Sequence, residues 1–201
     1  MIPIRFYFDF TSTFSYIAIQ KIDDLAARHG RTVDWRAVSL GHVFQAQGVT
    51  PPPMVPKKFA YLEIDFPRSC AFAGLPCKMP DPFPPDVKLA RVVFWHLKAR
   101  DEQKSHAYAR AISSAVFGHG KSVATPEEIG AFFPEMSAAE IATAGADAAA
   151  KAAVIASLPD AQAAGMIGAP FMVVDGEPFW GADRLDHLAA RLARGPDHTS
   201  G

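Results

Sequence analysis

Ser12-Thr13-Phe14-Ser15 stands where an extended apolar segment gives way to helical spacing, and a hydroxyl at that point has two uses. It can cap the helix by accepting a backbone N–H. It can also face a ligand at the helix start, where unpaired N–H groups and the helix dipole favour an anion. A thiolate brought in by a ligand is such an anion. A hydrogen bond from Ser12 would favour the ionised form of a thiol whose free pKa is about 8.5, so the serine would activate sulfur without itself attacking. The cysteines, Cys70 and Cys77, have neither the C-x-x-C spacing of a redox site nor the paired spacing of a zinc site. They read as free thiols in or near the core. His29, His42, His96, His106 and His119 lack metal-ligand spacing and H-E-x-x-H is absent, so no metal is expected. Asp65 and Arg68, at i and i+3, read as a structural helix pair rather than a substrate clamp.

The elements that must position Ser12 follow from the flanking pattern. Pro3 to Phe10 alternates bulky and polar residues with strong β formers and reads as a strand. Thr11-Ser12 then stands at a helix N-cap, and Phe14, Ala18, Ile22, Leu25 and Ala26 form one apolar stripe that should end at Gly30. Thr32 to Val38 resembles a second strand, which closes a right-handed β-α-β unit. Near the C-terminus, Phe171-Met172-Val173-Val174, an Asp175-Gly176 turn and Glu177-Pro178-Phe179-Trp180 predict a hairpin, with a helix from about Asp183 to Ala193. Between these halves lie Pro51-Pro52-Pro53, Pro56 and a proline cluster from Pro76 to Pro85. A helical face of Tyr108, Ala111, Ile112, Ala115 and Val116 follows. The expected division is an α/β domain from residues 1–40 and 161–201 with an all-α insertion at 41–160.

Composition narrows the class. The chain has 201 residues, 49% hydrophobic and 20% charged, enough for a substantial core and inconsistent with disorder. A net charge of −1, with no glycine-rich phosphate loop or basic aromatic stripe, gives no general attraction for nucleic acid or an anionic membrane. The apolar run from Ala138 to Ala156 is interrupted by Glu140, Asp147 and Lys151, so no membrane span is expected. The N-terminus has no export signal and the cysteines are few, which predicts a soluble protein in the cytoplasm.

A strand, turn and helix opening at Ser12, with a distant strand–hairpin–helix preceded by Pro170, resembles the thioredoxin fold with serines at both cysteine positions. Disulfide exchange needs a thiolate, so a hydroxyl removes the oxidoreductase function. Phe6-Tyr7-Phe8-Asp9-Phe10 leading to Ser12, then Phe14-Ser15-Tyr16, resembles the start of 2-hydroxychromene-2-carboxylate isomerases and is similar to kappa-class glutathione transferases. The stretch Gly48 to Lys58, GVTPPPMVPKK, is similar to the kappa pattern GNxPPxMVPxK. Gly168-Ala169-Pro170 and Trp180-Gly181-Ala182-Asp183-Arg184-Leu185 extend the resemblance over nearly the whole chain.

That resemblance implies a DsbA-like, thioredoxin-like fold with an inserted all-α domain, reduced glutathione as an unconsumed cofactor, a small aromatic substrate between the domains, and a homodimer. It implies cis-trans isomerisation of a 2-hydroxychromene-2-carboxylate or a related aromatic catabolite. A kappa-type transferase and a non-catalytic binding module are the alternatives. Carried over by residue, Ser12 would contact the glutathione sulfur, and the backbone of Ala169, before a cis Pro170, would pair with the cysteine main chain. Ala182 and Asp183 would meet the γ-glutamyl end and Lys58 the glycyl carboxylate. Each has a plainer reading: Pro170 as a strand-start proline, Asp183 as a first-turn helix acid, Lys58 as a solvated lysine. Val49 replaces a family asparagine that hydrogen-bonds glutathione, Ala182 replaces a Ser or Asn, and Thr13 replaces a proline found in several isomerases.

Overall fold

A computed structural model describes residues 2–194. Strand β1 (Ile4–Phe8) leads into α1 (Thr13–Ile19) and α2 (Ile22–Arg28), and β2 (Val33–Ala37) returns parallel to β1 with Ile4 opposite Val33. The single helix expected up to Gly30 is in fact two. The apolar spacing continues across the junction, but Lys21 N–H bonds Ala18 O in a tightened turn and Lys21 leaves helical geometry at φ −125°. Gln20 beside it donates its side-chain amide to Arg110 O and Ser113 Oγ. Gly30 ends α2 at φ +64°, a conformation that suits a residue without Cβ.

After β2 come α3 (Leu40–Ala46), α4 (Pro56–Ala73), α5 (Lys88–Lys98), α6 (Glu102–Ser113), α7 (Pro126–Phe132), α8 (Ala138–Ala146) and α9 (Ala148–Ala163). The face predicted around Tyr108 is formed by α6 and the π turn that continues it through Gly118; Ile112, Ala115 and Val116 are buried there. Then β3 (Phe171–Val174), β4 (Glu177–Trp180), a short 3-10 turn at Ala182–Arg184 and α10 (Leu185–Ala193) complete the chain. The hairpin turns through Asp175 and Gly176 at φ +50° and +89°, as an Asp-Gly pair allows.

The sheet order is β2-β1-β3-β4, with β3 antiparallel to both β1 and β4. Ile4, Phe6 and Phe8 face the larger core, where Phe8 meets Phe94 of α5 edge-on at 5.2 Å between ring centroids. Tyr7, Phe171 and Val173 face the other way onto Val43 of α3 and Ala161 of α9. The central strand is therefore buried on both sides, as happens when helices cover both faces of a sheet. Residues 41 and 160 fall inside α3 and α9, so these helices connect the insertion and also cover the sheet. Among the described residues no single helix is long and apolar enough to cross a membrane; α8 and α9 meet at a 59° bend. Residues 195–201 of the expected C-terminal segment lie outside the described residues.

Candidate active site

Ser12 occupies the end of β1 through a short turn in which its N–H bonds Asp9 O at 3.0 Å. Its backbone is extended, and its hydroxyl oxygen accepts the Ser15 N–H at 3.1 Å, so it does cap α1. A hydroxyl has one proton as well, and here that proton goes to Ala169 O at 3.0 Å. One side chain thus ties the first helix to the backbone preceding β3. It is 6% exposed, and the Ala169–Pro170 bond is cis, as expected from sequence.

Asp9 holds this turn in place. At 1% exposure its carboxylate accepts Arg91 Nη2 at 2.9 Å and Nε at 3.2 Å, Leu40 N at 2.7 Å, and Thr11 Oγ1 at 2.9 Å. A buried carboxylate needs this full set of partners, because an unpaired charge there is costly. The pair joins β1 to α5 of the helical part, so the start of α1 is fixed by both parts of the molecule.

A cavity of about 990 Å³ opens at Ser12. One wall is Phe14, Ile17 and Lys21; a second is Gly168, Ala169 and the stretch from Trp180 to Asp186; a third is Pro52, Pro53 and the α4 residues Leu62, Asp65, Arg68 and Phe72, with Phe83 near them. Of the residues predicted for the site, Ser12, Ala169, Ala182 and Asp183 line this cavity together. Pro170 is buried behind Ala169, and its carbonyl accepts the Gly181 N–H at 2.9 Å, which ties the two lining stretches to each other. Val49 and Lys58 do not line it. Val49 is 47% exposed because Gly48, at φ +66°, turns the chain at the end of α3 and the Val49 N–H closes that turn on Phe44 O. Lys58 is exposed in the first turn of α4, and the wall from this segment is made by Pro52 and Pro53 instead.

Asp183 is exposed and pairs with Arg184 at 3.0 Å, and Arg68 pairs with Asp65 at 3.2 Å, the i, i+3 contact expected from sequence. Trp180, half-exposed, leans over Gly168. A Cβ there would come within 2.6 Å of its Nε1, so only glycine leaves the ring where it is. Sequence reading missed Lys21, which stands four residues after Ile17 and seven after Phe14, the spacing of one helix face. It also missed Arg91, which no local signal connects to Asp9.

Several other reactive groups lie off the cavity. Burial pushes the Cys70 thiol up to about 12 and raises Cys77, whose thiol faces it; neither lines the cavity. Burial likewise pushes the Tyr16 hydroxyl, which donates to Pro76 O at 3.0 Å, up to about 12. His96 and His106 face Asp147 and Asp23 at 2.7 and 2.9 Å, away from the cavity.

A family model described as a DSBA-like thioredoxin domain matches residues 3–193. A 2-hydroxychromene-2-carboxylate isomerase of Sphingobium xenophagum is 31% identical over 203 residues, covering 94% of this chain and 97% of its own. One of Pseudomonas putida is 28% identical, covering 95% and 94%. A solved structure of 2-hydroxychromene-2-carboxylate isomerase superposes with a TM-score of 0.85 at 27% identity, covering 96% of this chain and 95% of that one.

Proposed function

The chain belongs to the DSBA-like thioredoxin family and, within it, to the 2-hydroxychromene-2-carboxylate isomerases, and from this we propose that it isomerises 2-hydroxychromene-2-carboxylate or a related aromatic catabolite with reduced glutathione as cofactor. The observation that carries the reading is Ser12: a hydroxyl, not a thiol, stands at the start of α1, faces the cavity and reaches the backbone of Ala169.

The residues present fit a thiol tripeptide. Ser12 can turn its proton from Ala169 O to an anionic sulfur while its oxygen still caps α1 through Ser15 N. The N–H groups of Thr13 and Phe14 open the helix before any intrahelical acceptor exists, and they add donors for the same anion. Ala169 O, released by Ser12, becomes an acceptor for a ligand main chain. Asp183, exposed on the lining and paired with Arg184, would exchange that surface pair for a ligand ammonium. Ala182 supplies no side-chain hydrogen bond, which costs about 0.5–1.5 kcal/mol, up to roughly tenfold in affinity, and Val49 and Lys58, off the lining, contribute no contact. When bound, glutathione supplies a sulfur nucleophile that adds reversibly to the conjugated substrate and permits rotation. The chain's own part is to stabilise charge at Ser12, to hold the aromatic body against Phe14, Ile17, Leu62 and Phe72, and to exclude water. The cavity is at the upper end of the roughly 300–1,000 Å³ common for small-molecule sites, room for both molecules.

Ser12→Ala tests the reading. The fold should survive the loss of the cap, worth about 1 kcal/mol, and the thiol of bound glutathione should titrate at higher pH by its ultraviolet thiolate absorbance. An unchanged titration refutes the role of Ser12. Product analysis then separates isomerisation, with glutathione recovered, from the conjugate a transferase would release.

A further inference from the structure

The charges on the cavity lining are largely committed to one another. Asp65 engages Arg68 and Asp183 engages Arg184, so each guanidinium already carries a partner carboxylate with which a ligand acid would have to share it. Lys21 also lines the cavity, and among the described residues its ammonium has no ion pair and no side-chain hydrogen bond. It is half-buried. The break between α1 and α2 gives it this place: its N–H closes on Ala18 O at 3.0 Å and its carbonyl accepts Leu25 N at 3.0 Å, so its backbone is fixed where α2 begins. Phe14 and Ile17 precede it on the stripe, which makes Lys21 the cationic end of an apolar wall. It follows Ser12 by nine positions, roughly 13 Å along near-helical chain at about 1.5 Å per residue, and the flexible lysine stem spans part of that distance.

A sheltered cation ending an apolar wall complements an acid carried on an aromatic body. We infer that Lys21 receives the carboxylate of the aromatic substrate and so sets the end of the molecule that is turned toward Ser12. The identity of the acid rests on the isomerase reading; the position of the cation does not. Asp186, the acid of the lining outside an ion pair, is exposed on α10 and would repel a carboxylate placed at that wall instead. Lys21 is thus a specificity-determining and positioning residue, remote from the sulfur. A carboxylate of the tripeptide carries the same chemistry, and the measurement must tell the two sources apart.

Chromone-2-carboxylate and its uncharged parent, chromone, serve as stable bicyclic probes, with binding to the full chain followed by calorimetry in the absence of glutathione. Lys21→Met should weaken the carboxylate probe about tenfold or more, the scale of a lost hydrogen bond to a charged group, and leave chromone within about twofold. Lys21→Arg should restore most of the difference. Glutathione affinity, measured separately, should change by less than about twofold in both variants. Equal losses for the two probes, no loss for either, or a tenfold loss confined to glutathione would each overturn the assignment. If Lys21→Met discriminates the probes while Ser12→Ala leaves the thiolate titration unmoved, the glutathione reading fails and the Lys21 assignment stands.

Discussion

Replacing Asp9 by alanine would strip the buried Arg91 guanidinium of its carboxylate and leave Leu40 N–H without its acceptor. Breaking one side of such a pair costs about 3–5 kcal/mol, so Asp9→Ala should lower the urea midpoint strongly. A midpoint within error of the parent would show that the pair does not hold the Ser12 turn. The partnership was illegible in the sequence because Asp9 and Arg91 lie 82 positions apart; nothing in the helical pattern around Arg91 marks it as inward-facing for that purpose. Ser12 was legible, since a hydroxyl between a strand and a helical stripe has few roles. Val49 and Lys58 were placed by alignment with a motif, yet whether they face the cavity depends on the backbone turn at Gly48 and the exposed first turn of α4, which spacing alone does not report.

Helix α9 is capped by Asp147, whose carboxylate accepts Ala149 and Ala150 N–H and meets His96 at 2.7 Å. The His96 contact, with the backbone donors, holds its pKa down at about 2, below the usual 3.8. A depressed carboxylate stabilises the fold above its unfolded pKa and loses that contribution as pH falls through the folded one. The parent should therefore weaken between about pH 4 and 2 more steeply than Asp147→Ala, which starts lower at neutral pH. Parallel acid-unfolding curves would remove Asp147 as the cap that matters. Among the elements, the strands and the Asp175-Gly176 hairpin were readable because β formers and a positive-φ turn are local signals. The division of α1 from α2 was not, because Ala18 and Ile22 keep helical spacing across a break stabilised by Gln20 reaching α6.

The cavity is walled by residues near 12–21, 52–83 and 168–186, so a ligand in it bridges the sheet and the helical part. Binding only the folded chain, reduced glutathione at a hundred times its Kd should add about 2.7 kcal/mol and raise Tm by roughly 5–10 °C for a chain of this size. S-methylglutathione, which cannot ionise at sulfur, should give a smaller rise; equal rises would mean that the thiolate is not what the site favours. The order β2-β1-β3-β4 also bears on how this protein is made. On the ribosome, β1 and β2 emerge early, while the partner for the other edge of β1 is Phe171–Val174. At ordinary synthesis rates that edge waits on the order of ten seconds. The nascent chain carries an unpaired hydrogen-bonding edge for that interval, a template for mispairing with neighbouring polypeptides, so this topology favours shielding of β1 during synthesis.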